Sequence, residues 1–176
     1  MTVLIPVPVL LITGPVGVGK TTVAHEAGTL LAAAGIPHAV VDLDAFACLS
    51  PSPPDDRHNT RIALKNLAAV WANYAPAGAE RLVLARVIES RDELQPLRDA
   101  VPGADMAVVR LRATHDVLTA RVSGREVGSS RARHLYRTIE LAEQMERDRV
   151  EDHVVETSGR GVVDIAREVL QRAGWL

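Results

Sequence analysis

One cysteine, two lysines and five aromatic side chains (two Trp, two Tyr, one Phe) are all that 176 residues contain of those types, and each scarcity narrows what the chain can do. The lone Cys48 excludes an internal disulfide and a cysteine metal cluster, which fits a reducing compartment. So few aromatics leave little surface on which bases could stack. A net charge of -2, with both signs interspersed, provides no basic stripe for a phosphodiester backbone, so no nucleic-acid partner is expected. No stretch reaches the roughly 20 apolar residues that a membrane helix needs. The apolar segment Val3 to Ile12 has no basic leader and runs straight into glycines, so it reads as strand rather than signal core, and a cytoplasmic location is expected. With 47% hydrophobic residues the chain can fill a core of Val, Leu, Ile and Ala, and residues 1–176 are expected to form a single domain.

Against this plain background stands VLLITGPVGVGKTT, residues 9 to 22. Val9 to Ile12 predict a buried strand and Thr21 onward a helix, and between them Gly14, Pro15, Val16, Gly17, Val18, Gly19, Lys20 and Thr21 match G-x-x-x-x-G-K-[ST] at every fixed position. Glycines at a strand-to-helix turn allow positive φ and close backbone approach, so successive N–H groups can converge on phosphate oxygens at the positive end of the helix. Lys20 is then placed for the β and γ phosphates and the Thr21 hydroxyl for Mg²⁺, which implies a nucleoside triphosphate. Lys20 and Lys65 are the only lysines; every other basic residue apart from histidine is arginine, so a lysine here points to chemistry that needs a compact ammonium. Lys65 has no such context and reads as a solvated helix residue.

Downstream, strands and helices alternate. Helical spacing runs from Val23 to Ala34, closed by Gly35 and Pro37, and His38 to Leu43 predict a second strand. A Pro/Ser loop leads to a helix over Arg57 to Tyr74, a strand over Arg81 to Val87, a helix over Arg91 to Ala100 and a strand over Met106 to Leu111. Thr114 is the expected N-cap of a helix over Asp116 to Val122. The Arg-rich stretch 123–134 reads as a small lid, followed by a helix, a fifth strand at His153 to Thr157 and a last helix over Val162 to Ala173. The expected fold class is therefore α/β, a three-layer P-loop NTPase fold with a five-stranded parallel sheet, helices on both faces and that lid. Ligands in such sheets bind beyond the carboxyl ends of the strands, which selects the Gly-rich loop, Asp42 and Asp44, Arg86 to Ser90, and Glu156 to Gly161 with Arg160.

Transfer of a phosphoryl group to a hydroxyl also needs a group that orients the nucleophile and takes its proton. Asp42 and Asp44 are the candidates: two residues apart on a strand, they would share one face, one carboxylate toward metal and one toward acceptor.

GPVGVGKTT, VVDLDAF, VLARVIESRDEL and LTARVSGRE together resemble the P-loop small-molecule kinases that include adenylylsulfate kinase, gluconate kinase and shikimate kinase, over nearly the whole chain. The resemblance implies ATP and Mg²⁺, Asp44 as the base, and Thr21 with Asp42 on the metal. It further implies Arg121 against adenine, Arg125 with Arg131 or Arg133 in the lid, the 157–161 loop beside the base, and Thr22 in the loop's grip on phosphate. Arg57 and Arg61 correspond to arginines presented to an anionic acceptor. The third strand ends without the aspartate that many such enzymes use for the Mg²⁺ shell, which leaves that duty to Thr21 and Asp42. The Ser-Pro and Asn-x-Arg signatures of true adenylylsulfate kinases and the Gly-rich acceptor loop of shikimate kinases are also missing, so the acceptor stays open. The expected function is an ATP-dependent phosphotransferase acting on a hydroxyl of a small molecule. A nucleoside monophosphate kinase and a nucleotide-dependent switch are the alternatives.

Overall fold

A computed structural model describes residues 6–125 and 131–176, excluding the side chains of 125 and 131–134. Five strands, β1 (Val7–Thr13), β2 (His38–Asp42), β3 (Arg81–Ala85), β4 (Ala104–Arg112) and β5 (His153–Glu156), form one sheet in the order β2-β3-β1-β4-β5, with every neighbouring pair parallel. Among the described residues six helices connect or flank them: α1 (Lys20–Ala33), α2 (Thr60–Tyr74), α3 (Leu94–Ala100), α4 (His115–Arg125), α5 (Arg131–Asp148) and α6 (Val162–Arg172).

β1 lies at the centre because it can be buried from both sides: Val9, Leu10, Leu11 and Ile12 are completely inaccessible. A strand's side chains alternate between faces, so Leu10 and Ile12 join the core under α1 and α6 while Val9 and Leu11 join the core under α2 and α3. On the first face the 3.6-residue repeat of α1 (Val23, Ala27, Leu31) meets Ile165, Ala166 and Val169 of α6. On the second, Ala63, Leu67 and Trp71 of α2 and Leu94 and Leu97 of α3 cover β2, β3 and the first half of β4. Gly28 lets α1 approach the sheet, since a Cβ there would lie 2.7 Å from Val40 Cγ2.

The three-layer α/β arrangement agrees with the sequence. Two boundaries differ for identifiable reasons. α2 begins at Thr60, not Arg57, because the Asp56 carboxylate accepts from the backbone N–H groups of Thr60 (2.8 Å) and Arg61 (3.0 Å), and Asn59 sits at φ 52° immediately before it. The segment expected as one helix over Arg91 to Ala100 opens with a 3₁₀ turn, Arg91–Glu93, whose Glu93 carboxylate accepts from the N–H groups of Glu89 (2.7 Å) and Ser90 (3.1 Å). Thr114 does precede α4, and its hydroxyl accepts from Val117 N–H at 3.4 Å. Residues 126–130 of the expected lid, and the side chains of Arg125, Arg131 and Arg133, lie outside the described residues.

Candidate active site

The Gly-rich loop joins β1 to α1, so the carboxyl end of the central strand delivers it to the first turn of a helix. Gly14, Gly17 and Gly19 all take positive φ, at 142°, 82° and 108°. A Cβ at Gly14 would come 2.6 Å from the Leu111 carbonyl oxygen, and one at Gly17 would come 2.8 Å from Val122 Cγ2. The loop is therefore wedged between β4 and α4, a backbone cradle that only glycine can form at these two points. Lys20 is almost fully buried at 8% exposure, and its ammonium donates to the Pro15 carbonyl at 3.3 Å, so it lies folded back over the loop it belongs to. Thr22 lies one residue beyond Thr21 on α1, and the exposed Val16 forms the outer rim of the loop.

Thr21 Oγ1 donates to Asp42 Oδ2 at 2.7 Å, which ties the first turn of α1 to the end of β2. A hydroxyl and a carboxylate side by side form the all-oxygen donor set that suits Mg²⁺, which keeps most of its shell as water and phosphate oxygens. Asp42 Oδ1 accepts from Asp44 N–H at 3.1 Å. β2 ends at Asp42, and Asp44 opens a 3₁₀ turn over Asp44–Ala47, so the two carboxylates are not brought together by strand alternation as expected. The intervening Leu43 is fully buried in the core, and the chain turns around it. Asp44 is open to solvent on one side, yet the protein packed around its carboxyl raises its pKa. Lys20, Arg86 and the nearby Val87 backbone oppose that shift, and Asp42 adds to it.

Arg86, at the end of β3, is buried at 6% exposure; its Nη2 donates to Thr60 Oγ1 at 3.1 Å, and its Nη1 has no partner among the described residues. Asn59, missed in the sequence, is buried next to Thr60 in the chain. Its amide donates to Ala47 and Leu49 carbonyls at 2.7 and 2.9 Å, pinning the 47–49 segment to the start of α2. An Asn directly before a helical apolar repeat, a residue type that tolerates φ above zero, was the signal that could have found it.

Two cavities meet on the loop. One of about 160 Å³ is lined by Lys20, Thr21, Asp42, Asp44 and Val87. Another of about 300 Å³ is lined by Val18, Arg121, Thr157, Arg160 and Ile165, and Gly17, Gly19 and Thr22 line both. Arg121 Nη1 donates to the Val18 carbonyl at 2.9 Å and to Thr157 Oγ1 at 3.2 Å, so this arginine clamps the loop to the segment after β5. Arg160 donates to Glu168 Oε2 at 2.7 Å and to the Glu156 carbonyl at 2.9 Å on the rim.

Arg57 and Arg61 are not one turn apart on a helix: Arg57 lies on the exposed turn before α2. Arg61 is held in a bidentate pair by Asp55, at 2.7 and 2.8 Å. Both partners are largely exposed, so the pair is weakly held.

No protein-family model and no curated protein sequence matches the chain. Solved structures do match over nearly all of it. A gluconokinase from Sinorhizobium meliloti 1021 is 24% identical, with a TM-score of 0.62 over 95% of this chain and 91% of its own. The tunicamycin resistance protein of Deinococcus radiodurans is 18% identical, with a TM-score of 0.67 over 97% of both chains. The APS kinase of Mycobacterium tuberculosis, solved with AMPPNP and APS, is 18% identical, with a TM-score of 0.57 over 97% of this chain and 99% of its own. The chain thus has the fold of the P-loop small-molecule kinases.

Proposed function

We propose that the protein is an ATP-dependent phosphotransferase that moves the γ-phosphoryl group to a hydroxyl of a small molecule. The observation that carries this reading is Asp44, a carboxylate with a raised pKa that shares one cleft with the lysine and threonine of the phosphate loop. A nucleotide-binding loop alone would serve a switch as well; a tuned carboxylate at its phosphate end suits proton transfer.

In this reading adenosine occupies the cavity between Arg121 and the 157–161 loop, and the triphosphate runs along the backbone of residues 14–22. Lys20 leaves the Pro15 carbonyl to meet the β and γ phosphates. Thr21 and Asp42 hold Mg²⁺, which when bound supplies charge neutralisation on the phosphate oxygens. Asp44 accepts the acceptor's hydroxyl proton as the oxygen bonds to the γ-phosphorus, and the bond from that phosphorus to the departing ADP oxygen breaks. Arg86, on the acceptor side, opposes the rise of the Asp44 pKa. Arg160 contributes to the nucleotide side, and Arg57 to the rim of the acceptor side.

The nucleoside monophosphate alternative needs a cationic grip on a second phosphate, and Arg57 and Arg61, expected to supply it as a pair, do not lie one turn apart on a helix. The low identity of the structural neighbours leaves the acceptor to experiment. Purified protein is given ATP and Mg²⁺ with adenylylsulfate, nucleoside monophosphates, sugar acids or hydroxylated natural products, and ADP release is compared with Lys20→Ala. Release stimulated by one class of acceptor supports the proposal and names the class. ATP bound tightly with no acceptor raising the rate above the variant would favour the switch.

A further inference from the structure

A cavity of about 560 Å³ is neither of the two that meet on the phosphate loop. It lies under α5 at the carboxyl ends of β4 and β5, and touches the loop only at Pro15. Strand alternation separates it from the nucleotide side. Val109, Leu111 and Val155 face the core under α1 and α6, so Arg110, Arg112 and Glu156 face the other way, toward α5. Along that face β4 changes character. Met106 and Val108 belong to the apolar core, whereas the next two residues in the same row are arginines.

Arg110 is the unusual member, since it is only 3% exposed at a position where another Met or Val would continue the core. Its two terminal nitrogens are held by Glu146 at 2.8 Å and Glu151 at 3.0 Å, while its Nε is buried with no partner among the described residues. Burying such an ion pair contributes little to stability compared with an apolar replacement, and the orphaned donor makes it worse.

Two of the three carboxylates in the cavity are committed, and the third, Glu143, is exposed on α5. Glu146 serves Arg110 and, at 3.9 Å, Arg112; Glu156 accepts from Arg112 Nε at 3.1 Å and from the N–H groups of Thr157 and Ser158 at 3.1 and 3.0 Å. Donors remain beyond these pairs. Arg112 is half exposed and has a further terminal nitrogen, Arg147 opens onto the same space, and Thr114 and His115 bring in the first turn of α4, an 11-residue helix. Arginines and a helix N-terminus around a space of ligand size favour an oxyanion.

We infer that the cavity beneath α5 is a second binding site, for a small metabolite carrying a carboxylate or phosphate group, separate from the site where nucleotide and acceptor meet. Asp44 follows β2, and both β3 and β1 stand between that strand and β4, so an anion bound here would not reach the base. It would instead lie against Pro15, whose carbonyl holds Lys20, a route by which occupancy could alter nucleotide affinity.

The test follows backbone amide NMR shifts of the full chain saturated with a non-hydrolysable ATP analogue, so that the phosphate loop is filled. Inorganic phosphate is titrated in one arm and citrate in the other. Saturable shifts at Thr114, His115, Ala142 and Glu143 are expected, and the arm with the tighter curve distinguishes phosphate from carboxylate chemistry. Arg112→Gln, at a half-exposed position that leaves Arg110 in place, should weaken that binding about tenfold, the loss of one charge-assisted hydrogen bond, while the analogue still binds. Shifts that vanish once the analogue is bound, shifts unaffected by Arg112→Gln, or no saturable shift with either probe would each overturn the inference.

Discussion

The two sides of the phosphate loop are finished to different degrees. On the nucleotide side Arg121 is tied to Val18 and Thr157, Arg160 to Glu156 and Glu168, and these donors have partners within the protein. On the acceptor side Arg86 keeps a buried N–H without a partner among the described residues, and Asp44 is held with its pKa raised by the protein around it. A satisfied site is already organised for its ligand and loses little by waiting for it. A buried donor without a partner carries a cost in the folded protein, and a site whose polar groups pair with one ligand and not another selects between them. The difference fits a protein that accepts a common nucleotide on one side and chooses a particular acceptor on the other.

Substitutions can break that comparison in order of size. Asp44→Asn is expected to lower kcat by about 10²–10⁴, the usual worth of a general base, with ATP affinity unchanged in a binding titration. Lys20→Ala should lower kcat/KM by roughly 10²–10³ through loss of charge stabilisation, and here ATP binding should weaken too. Arg121→Leu should raise the KM for ATP about tenfold while leaving the acceptor KM alone, because the clamp it removes lies wholly on the finished side. Arg86→Met should do the opposite, raising the acceptor KM about tenfold. It should also move the acid limb of the kcat/KM profile to higher pH, since Arg86 is one of the charges that lowers the Asp44 pKa.

The smallest effect concerns stability. The folded protein holds Asp44 above its unfolded pKa, so the group favours folding at pH below the ordinary aspartate value and loses that contribution as pH rises through the folded value. Asp44→Asn should therefore raise Tm at pH 7 in a thermal melt, with the gain shrinking as the buffer is made acidic. A gain that did not change with pH would place its origin outside the carboxyl's ionisation.

The nucleotide loop was legible because its chemistry is local: glycines, a lysine and a threonine at fixed spacing between a strand and a helix act within one turn of chain. Asp42 and Asp44 could be picked out for the same reason, but the way they meet could not. Leu43 is drawn into the core, and that long-range burial makes the chain turn where strand alternation had been expected. Arg57 and Arg61 failed as a helical pair because Asp56 starts α2 three residues later and Asp55 takes up Arg61. Such competition between nearby side chains has no periodic signature. Arg110 did leave a trace, a charge in the middle of an apolar strand, whose meaning emerged only with α5 packed over it.

The most direct test of the account follows the γ-phosphate itself. Wild-type protein and Asp44→Asn are each saturated with γ-labelled ATP and Mg²⁺ in the presence of the acceptor that most stimulates ADP release, and label in the acceptor is counted. The account predicts transfer by the wild type and almost none by a variant that still binds ATP with unchanged affinity. Equal transfer by both proteins, or loss of ATP binding in the variant, would contradict the assignment of Asp44 as the base on the unfinished side of the loop.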